Sequence, residues 1–350
     1  MVIRFRYLKY FTAFSLPILA FVAMNSSGLM TFLPLIEAFA LIPIIELLAK
    51  PQMANLSKEE EKEALNNKGF DWMIYLISFV HFGVLIYFLF VIDNTTETID
   101  LVGKTMSMGL MCGSLGINVA HELGHRNNKM EQTLAQGLLM TSLYMHFFIE
   151  HNRGHHKNIG TKKDPATARV GESLYKFWIR AIWQSYWHAW KIENDSLRKR
   201  GIAVWSLKNQ MLRFQLSQIT LLLLIFFVFG WFTFVCFVAA AVFGFVLLET
   251  IDYVEHYGLT RKEISPGVFE RPQPHHSWDS NFPVGRLVLF ELSRHADHHY
   301  LANRKYQILR SHESAPQMPT GYPGMMILSL LPPLWFAIMN KRLALQTTNS

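Results

Sequence analysis

Cysteine is nearly absent from this chain: Cys112 and Cys236 are the only two in 350 residues, and each lies inside an apolar run. That count excludes a disulfide framework and any site held by several thiolates, and leaves both as packing residues. Charge is also sparse. Asp, Glu, Lys and Arg make up 17% of the residues, where a soluble domain carries about 25%. Internal repeats, low-complexity linkers and the strict alternation of a membrane β-barrel are missing too. Lysine and arginine are absent from the short connections NSSG, IDNTTETID and FGWF.

What is present instead is apolar. The chain is 51% hydrophobic and 14% aromatic, in blocks long enough to cross a bilayer, for which a helix needs about 20 residues. Four blocks occupy the first third, at residues 10–24, 31–48, 72–92 and 101–120. No small-residue cleavage site comes after the first, which therefore reads as a retained helix and not a signal peptide. The run 219–248 is too long for one upright span; extended to 211–230 and 231–251, with a turn at Gly230, it supplies two more. The expectation is an all-α polytopic membrane protein of about six transmembrane helices, a single membrane domain over 1–350. Within it, 1–120 carries four spans, 121–210 a cytoplasmic or interfacial segment, 211–251 the last two spans, and 252–350 a second such segment. Two further apolar stretches, 134–149 and 325–339, are expected to lie in the interface or re-enter without crossing. The loop KPQMANLSKEEEKEALNNKG reads as solvated helix.

Basic residues concentrate in MVIRFRYLKY and from Lys157 to Arg200. Cytoplasmic loops are enriched in lysine and arginine, which assigns both termini and both long segments to the cytoplasmic side of a bacterial inner membrane. The net charge of +7 then reflects loops beside anionic lipid, with no nucleic-acid partner.

Histidine is the polar residue the chain uses freely. Nine of its 15 fall in four clusters: His121 and His125 in HELGH; His151, His155 and His156 in HNRGHH; His256 in EHYG; His295, His298 and His299 in RHADHH. His81, His146, His188, His275, His276 and His312 stand outside them, and the sequence assigns no role to His275, His276 or His312. In the expected topology all four clusters reach one membrane face. Helical residues three and four apart share a side. That predicts a pair from His121 and His125, a second from His151 and His155 with His156 beside it, and a third group from His295, His298 and His299. Imidazole suits iron, copper, nickel and zinc, and nine exceed what one first-row ion accepts, so two ions are implied. Glu122, Glu150, Glu255 and Asp297 each adjoin a cluster histidine, and Asp164 comes shortly after one. Metal-bound imidazoles commonly give their other N–H to a carboxylate, which gives these five acids orienting and charge-balancing roles.

HELGH alone fits HExxH, in which two histidines bind Zn²⁺ and the glutamate is a general base. A zinc membrane protease, however, leaves at least six clustered histidines without a task. A metal transporter would scatter imidazoles along its spans, not gather them at the ends. A pair of redox-active ions that activates O2 uses them all. Cytoplasmic siting gives it access to reductant, and an apolar channel would bring an oily substrate from the lipid.

Five motifs carry a family resemblance: FFIEHNRGHH (147–156), KDPATAR (163–169), DYVEHYGL (252–259), LSRHADHH (292–299) and PTGYPGM (319–325). Together they resemble the integral-membrane alkane 1-monooxygenases of the membrane di-iron desaturase and hydroxylase superfamily, over about residues 30–340. The resemblance implies a six-helix hydroxylase holding two non-haem irons through His121, His125, His151, His155, His156, His256, His295, His298 and His299, with no catalytic residue distinct from those ligands. It implies insertion of one atom of O2 into the terminal C–H bond of an n-alkane, giving a 1-alkanol and water. Electrons in that family come from NADH through a reductase and rubredoxin. Rubredoxin needs four cysteines, so here it would be a separate protein docking on the basic face, with Arg126, Lys157, Arg294 and Arg304 as candidate contacts. Met106, Met108, Leu110 and Leu115 are candidates for setting chain length. Departures from the family pattern at Arg126, Asp252, Ser293 and Ala296 remove no ligand. They leave as alternatives a relative oxidising alkylbenzene methyl groups and a lipid desaturase.

Overall fold

The computed structural model describes residues 3–347. Four of its helices are long and apolar enough to cross a membrane: Phe5–Met24, Gly28–Leu48, Gly69–Ile92 and Gln210–His256. The last has 47 residues and would be about 70 Å long if straight. It bends at Gly230, whose φ of 82° and ψ of 177° leave the helical region, a conformation open to a residue without Cβ. Gln218 accepts the backbone N–H of Met145, and Glu249 accepts the hydroxyl of the adjacent Tyr144. On one straight helix those two acceptors would sit about 46 Å apart. The halves therefore run back alongside each other, and the turn falls at the glycine the sequence marks.

The expected fourth span is a helical run from Thr98–Met111 through a π-turn, Cys112–Ile117, into Asn118–Gly124. It is not among the four apolar helices; Gly109, Gly113, Gly116, Ser107, Ser114, Asn118 and His121 dilute it between Lys104 and Glu122. From Ser107 to Gly124 every residue but Ser114 and Glu122 is buried. A helix enclosed by its neighbours needs no lipid-facing side chains, so length and hydropathy do not single it out. Its contact with the second half of the kinked helix uses small residues. A Cβ on Gly109 would meet Ala240 O, and one on Gly113 would meet Gly244 O; their absence lets the two backbones close up.

Residues 134–149 turn back before crossing. Helix Lys129–Thr141 starts near Glu131, which accepts the Tyr75 hydroxyl by the beginning of Gly69–Ile92, and ends at Thr141, bonded to His81 about halfway along that span. The chain reverses at Leu143, with φ of 53°, and Phe147–Glu150 leads back toward the histidines. The second stretch breaks into Tyr322–Ser329 and Pro332–Thr347, with Arg342 returning to the carbonyl of Gln317. The polar loop after the second span does hold a helix, Lys58–Asn66, started by a reciprocal Ser57–Glu60 capping box. Extended structure among the described residues is a short antiparallel hairpin, Glu263–Ser265 with Val268–Phe269, and one bridge between Asp279 and Gln317.

A Cβ on Gly244 would lie 2.7 Å from Cys112 Cβ and 3.2 Å from Gly109 O. Gly244→Leu is therefore expected to cost about 1–3 kcal/mol, read as an earlier thermal loss of helical circular dichroism in nanodiscs. Gly83→Leu, at an exposed position with nothing within 4 Å, should leave the transition in place.

Candidate metal centre

His121 lies in the last turn of the buried helical run and His125 caps it. His151, His155 and His156 sit on the returning limb, His256 ends the kinked helix, and His295–Tyr300 carries the remaining three. All nine converge, in two groups whose nitrogens lie within 4.8 Å of one another: His121, His125, His151, His156 and His298 in the first, His155, His256, His295 and His299 in the second. In the first, His156 Nε2 is 3.0 Å from both His151 Nε2 and His298 Nε2. In the second, His299 Nε2 is 2.8 Å from His295 Nε2 and 3.2 Å from His155 Nε2, and His295 Nε2 is 3.1 Å from His256 Nε2.

The partition differs from the faces expected of α-helices. His151–His155 is wound as a π-turn, whose repeat is i to i+5. His156, not His155, therefore comes back to His151, and His155 swings into the second group. His298 likewise parts from His295 and His299, which keep the four-residue relation.

The donor set fits transition-metal ions. Nitrogens about 3 Å apart match neighbouring ligands on one ion with bonds near 2.1 Å. Both nitrogens of His121 and Nε2 of His125 are buried with no hydrogen-bond partner, and each such atom costs roughly 1–3 kcal/mol when left unpaired. Burial, reinforced by neighbouring imidazoles, holds His295, His298 and His299 far below the ordinary imidazole pKa, and burial pushes His125 down to about 3. These rings are neutral and free to donate to a cation. His155 is different. Burial works to lower it, but the Asp164 carboxylate, 3.0 Å from Nδ1, outweighs that and raises it. Asp164 is itself held by the Thr167 hydroxyl and the Ala166 N–H, and its grip on Nδ1 leaves Nε2 facing the group.

Of the five acids expected to orient ligands, only Asp164 stands behind one in this way. Glu255 accepts the Tyr322 hydroxyl at 2.5 Å, and its other oxygen lies 3.1 Å from His295 Nε2; it borders the ligand atoms themselves. Glu122 is bonded to Arg126, Glu150 to His188 Nδ1 at 3.0 Å, and Asp297 to Arg304, the Arg310 N–H and His312. None of these three meets a clustered imidazole. The expected docking arginines are corrected too. Arg126 is buried among Glu122, Asp71 and Glu131, and Arg294 is buried on the carbonyls of Leu309 and Ala54 and the side chain of Asn281. Arg304 grips Asp297 through both oxygens, while Lys157 is exposed.

Two contributors have no signal in the spacing. Asp279 accepts the Ala296 N–H at 2.7 Å, in the first turn of His295–Tyr300, with burial raising its carboxyl to about 7. Tyr322 belongs to PTGYPGM, and nothing in that motif announces its bond to Glu255. His275 and His276 gather with Glu270 in a separate group.

An apolar cavity abuts His121, His151 and His295. It shares Gly113, Ser114, Ile251, Leu289 and Tyr322 with a second cavity, which extends to Leu16, Phe39, Ile42, Leu110 and Met326.

Fold and site together define a polytopic helical membrane protein built around two facing histidine clusters. The fatty acid desaturase family pattern matches residues 101–329. Two alkane 1-monooxygenases of Pseudomonas aeruginosa are similar over most of the chain. Alkane 1-monooxygenase 1 is 38% identical over 335 residues, 94% of this chain and 88% of that protein. Alkane 1-monooxygenase 2 is 36% identical over 307 residues, 87% of this chain and 81% of that protein. The hydroxylase component of the xylene/toluene monooxygenase of Pseudomonas putida is 30% identical over 246 residues, 70% of this chain and 65% of that protein. The chain belongs to the fatty acid desaturase family and groups there with the alkane 1-monooxygenases, which makes it an oxidoreductase.

His256→Ala would reduce the second group to three imidazoles. Metal per chain, measured by plasma mass spectrometry, should fall from about two ions toward one; unchanged content would remove His256 from the ligand set.

Proposed function

We propose that this protein hydroxylates the terminal carbon of n-alkanes to 1-alkanols, with O2 and two non-haem irons held by the nine histidines. The observation that carries this reading is the apolar cavity that ends on His121, His151 and His295. The names of its relatives agree: alkane 1-monooxygenases across most of the chain. The bound irons would supply O2 activation. Each turnover consumes one O2, two electrons and two protons and yields the alkanol and water.

The chain's own residues do the rest. Ile251 and Leu289 line both cavities, and Phe147 lines the one at the histidines; there they exclude water and hold an extended hydrocarbon by dispersion alone. Such a wall leaves the terminal carbon as the part of the chain that reaches the histidines. Asp164 fixes the ring of His155, and the Tyr322–Glu255 bond holds a carboxylate beside His295, where it offsets positive charge from the ions.

We infer six crossings, with the site on the cytoplasmic side of a bacterial inner membrane. The hairpin at Gly230 counts as two spans and the buried Thr98–Gly124 run as another. Lys9 binds Glu291, just before His295, which puts the basic first segment at the histidine end. A separate rubredoxin, supplied by NADH through its reductase, would bring the electrons. Exposed Lys157, on the limb that carries three histidines, suits its docking.

Iron-loaded protein in nanodiscs, given rubredoxin, reductase, NADH and O2, is expected to convert dodecane or octane to the 1-alkanol. Oxidation of an alkylbenzene methyl group or an acyl lipid, with no alkanol from either alkane, would overturn this reading. Leu110→Phe narrows the cavity away from the histidines and should shift turnover toward shorter chains by a few carbons, with iron content unchanged.

A further inference from the structure

We propose that the helix Leu174–Lys199 is a lipid-seated platform, its aromatic stripe embedded in the headgroup–acyl boundary of an anionic bilayer on the histidine side. The helix buries Phe177, Ala181, Ser185 and Ala189 against the protein. On the opposite side Tyr175, Ile179, Trp183 and Trp187 repeat every four residues and are 47–77% exposed. One flank between these faces is polar, with Lys176, Arg180 and Gln184; the other is apolar, with Ile182, Tyr186 and Trp190. That three-way division is what a helix needs to lie at an interface, with protein behind it, lipid in front and water along one edge.

Its attachments set its direction. Near the start, Trp178 donates to Thr250 and Phe177 packs on Tyr253, at the last turns of the kinked helix. Near the end, Glu193 accepts the N–H of Gln210, the first residue of that helix. Both anchor points lie about twenty residues from Gly230, at the ends of the two limbs remote from the turn. A helix tied to both runs along the membrane plane at that level and does not cross it. The stripe also continues onto surfaces that face lipid in an embedded protein. The Tyr175 hydroxyl donates to the carbonyl of Leu330, next to exposed Leu331 and Leu334, and exposed Leu216 and Ile219 extend it at the far end.

The chemistry of the stripe selects the occupant. Tryptophan and tyrosine favour the interface, where an apolar ring and a polar edge are both satisfied. The exposed run Arg198, Lys199 and Arg200 closes the helix, and basic residues there are drawn to an anionic surface. On the inner side, His188 of the same helix holds Glu150 beside His151. Lipid contact on one face thus braces the limb that carries three of the nine histidines.

The test is site-directed spin labelling of the full chain in vesicles containing anionic lipid, with Cys112 and Cys236 buried and their residual signal subtracted. Ile179→Cys, Trp183→Cys and Trp187→Cys should give labels that collide more with O2 than with a water-soluble nickel chelate. Lys176→Cys and Gln184→Cys should show the reverse. Chelate collisions dominating at all five positions would put the stripe in water and overturn the proposal. Low collision with both agents on the stripe, with spin–spin broadening, would overturn it in favour of a second copy of the chain. The readout does not depend on alkane turnover, so it can fail while the functional reading stands.

Discussion

Nine imidazoles packed together, seven of them buried and two partly so, are tolerable only if something shares their nitrogens. In a medium where each unpaired polar atom costs a kilocalorie or more, the two groups cannot be inert packing. Seven of their Nε2 atoms face one another at 2.8–3.2 Å, and those of His156, His295 and His299 each stand in two such contacts, although one ring nitrogen either carries a proton or accepts one. Cations shared within each group would satisfy them together. This requirement explains why four remote parts of the chain end at the same place, and why the segments between them need not cross the bilayer.

A second consequence is that the surrounding charge is architectural. Arg126 and Arg294 look like docking residues in the sequence because arginine beside a site usually faces solvent. Here both are buried and spend their planar donors on buried acceptors, Arg126 on three carboxylates and Arg294, just before His295, on the carbonyls of Leu309 and Ala54. Asp279 performs the matching task with an acceptor, taking the Ala296 N–H. The last histidine segment is only six residues long, too short to be stable as an isolated helix; Arg294 and Asp279 fix its entry and first turn.

The identity of the clustered residues was legible because chemistry restricts it: nothing else explains histidine at those spacings on one side of a membrane protein. The turn at Gly230 was legible from the excess length of an apolar run. What the spacing did not show is the distribution of the histidines between the two groups, since α periodicity pairs His151 with His155 and the π-turn pairs it with His156. The partners of Glu122, Glu150 and Asp297 were equally hidden, because adjacency in sequence says nothing about which way a carboxylate points. The expected fourth span reads as an apolar block in the sequence, yet its hydropathy does not set it among the candidate spans, because its surroundings are protein.

That buried run also shows how one irregularity can serve two ends. The π-turn Cys112–Ile117 puts Gly113, Ser114 and Ile117 on the cavity wall, while the missing side chain at Gly113 lets the backbone press against Gly244. The same turn contains one residue more than a regular α-helix would need. Each residue of an α-helix is rotated by about 100° from the one before it, so a regular helix through this point would turn Asn118, His121 and His125 to a different side. Asn118 would lose its bond to the carbonyl of Leu289, which ties the run to the segment leading to His295, and two of the five nitrogens of the first group would leave it. The width of the cavity and the aim of HELGH are thus set by the same local winding, and neither can be altered there without the other.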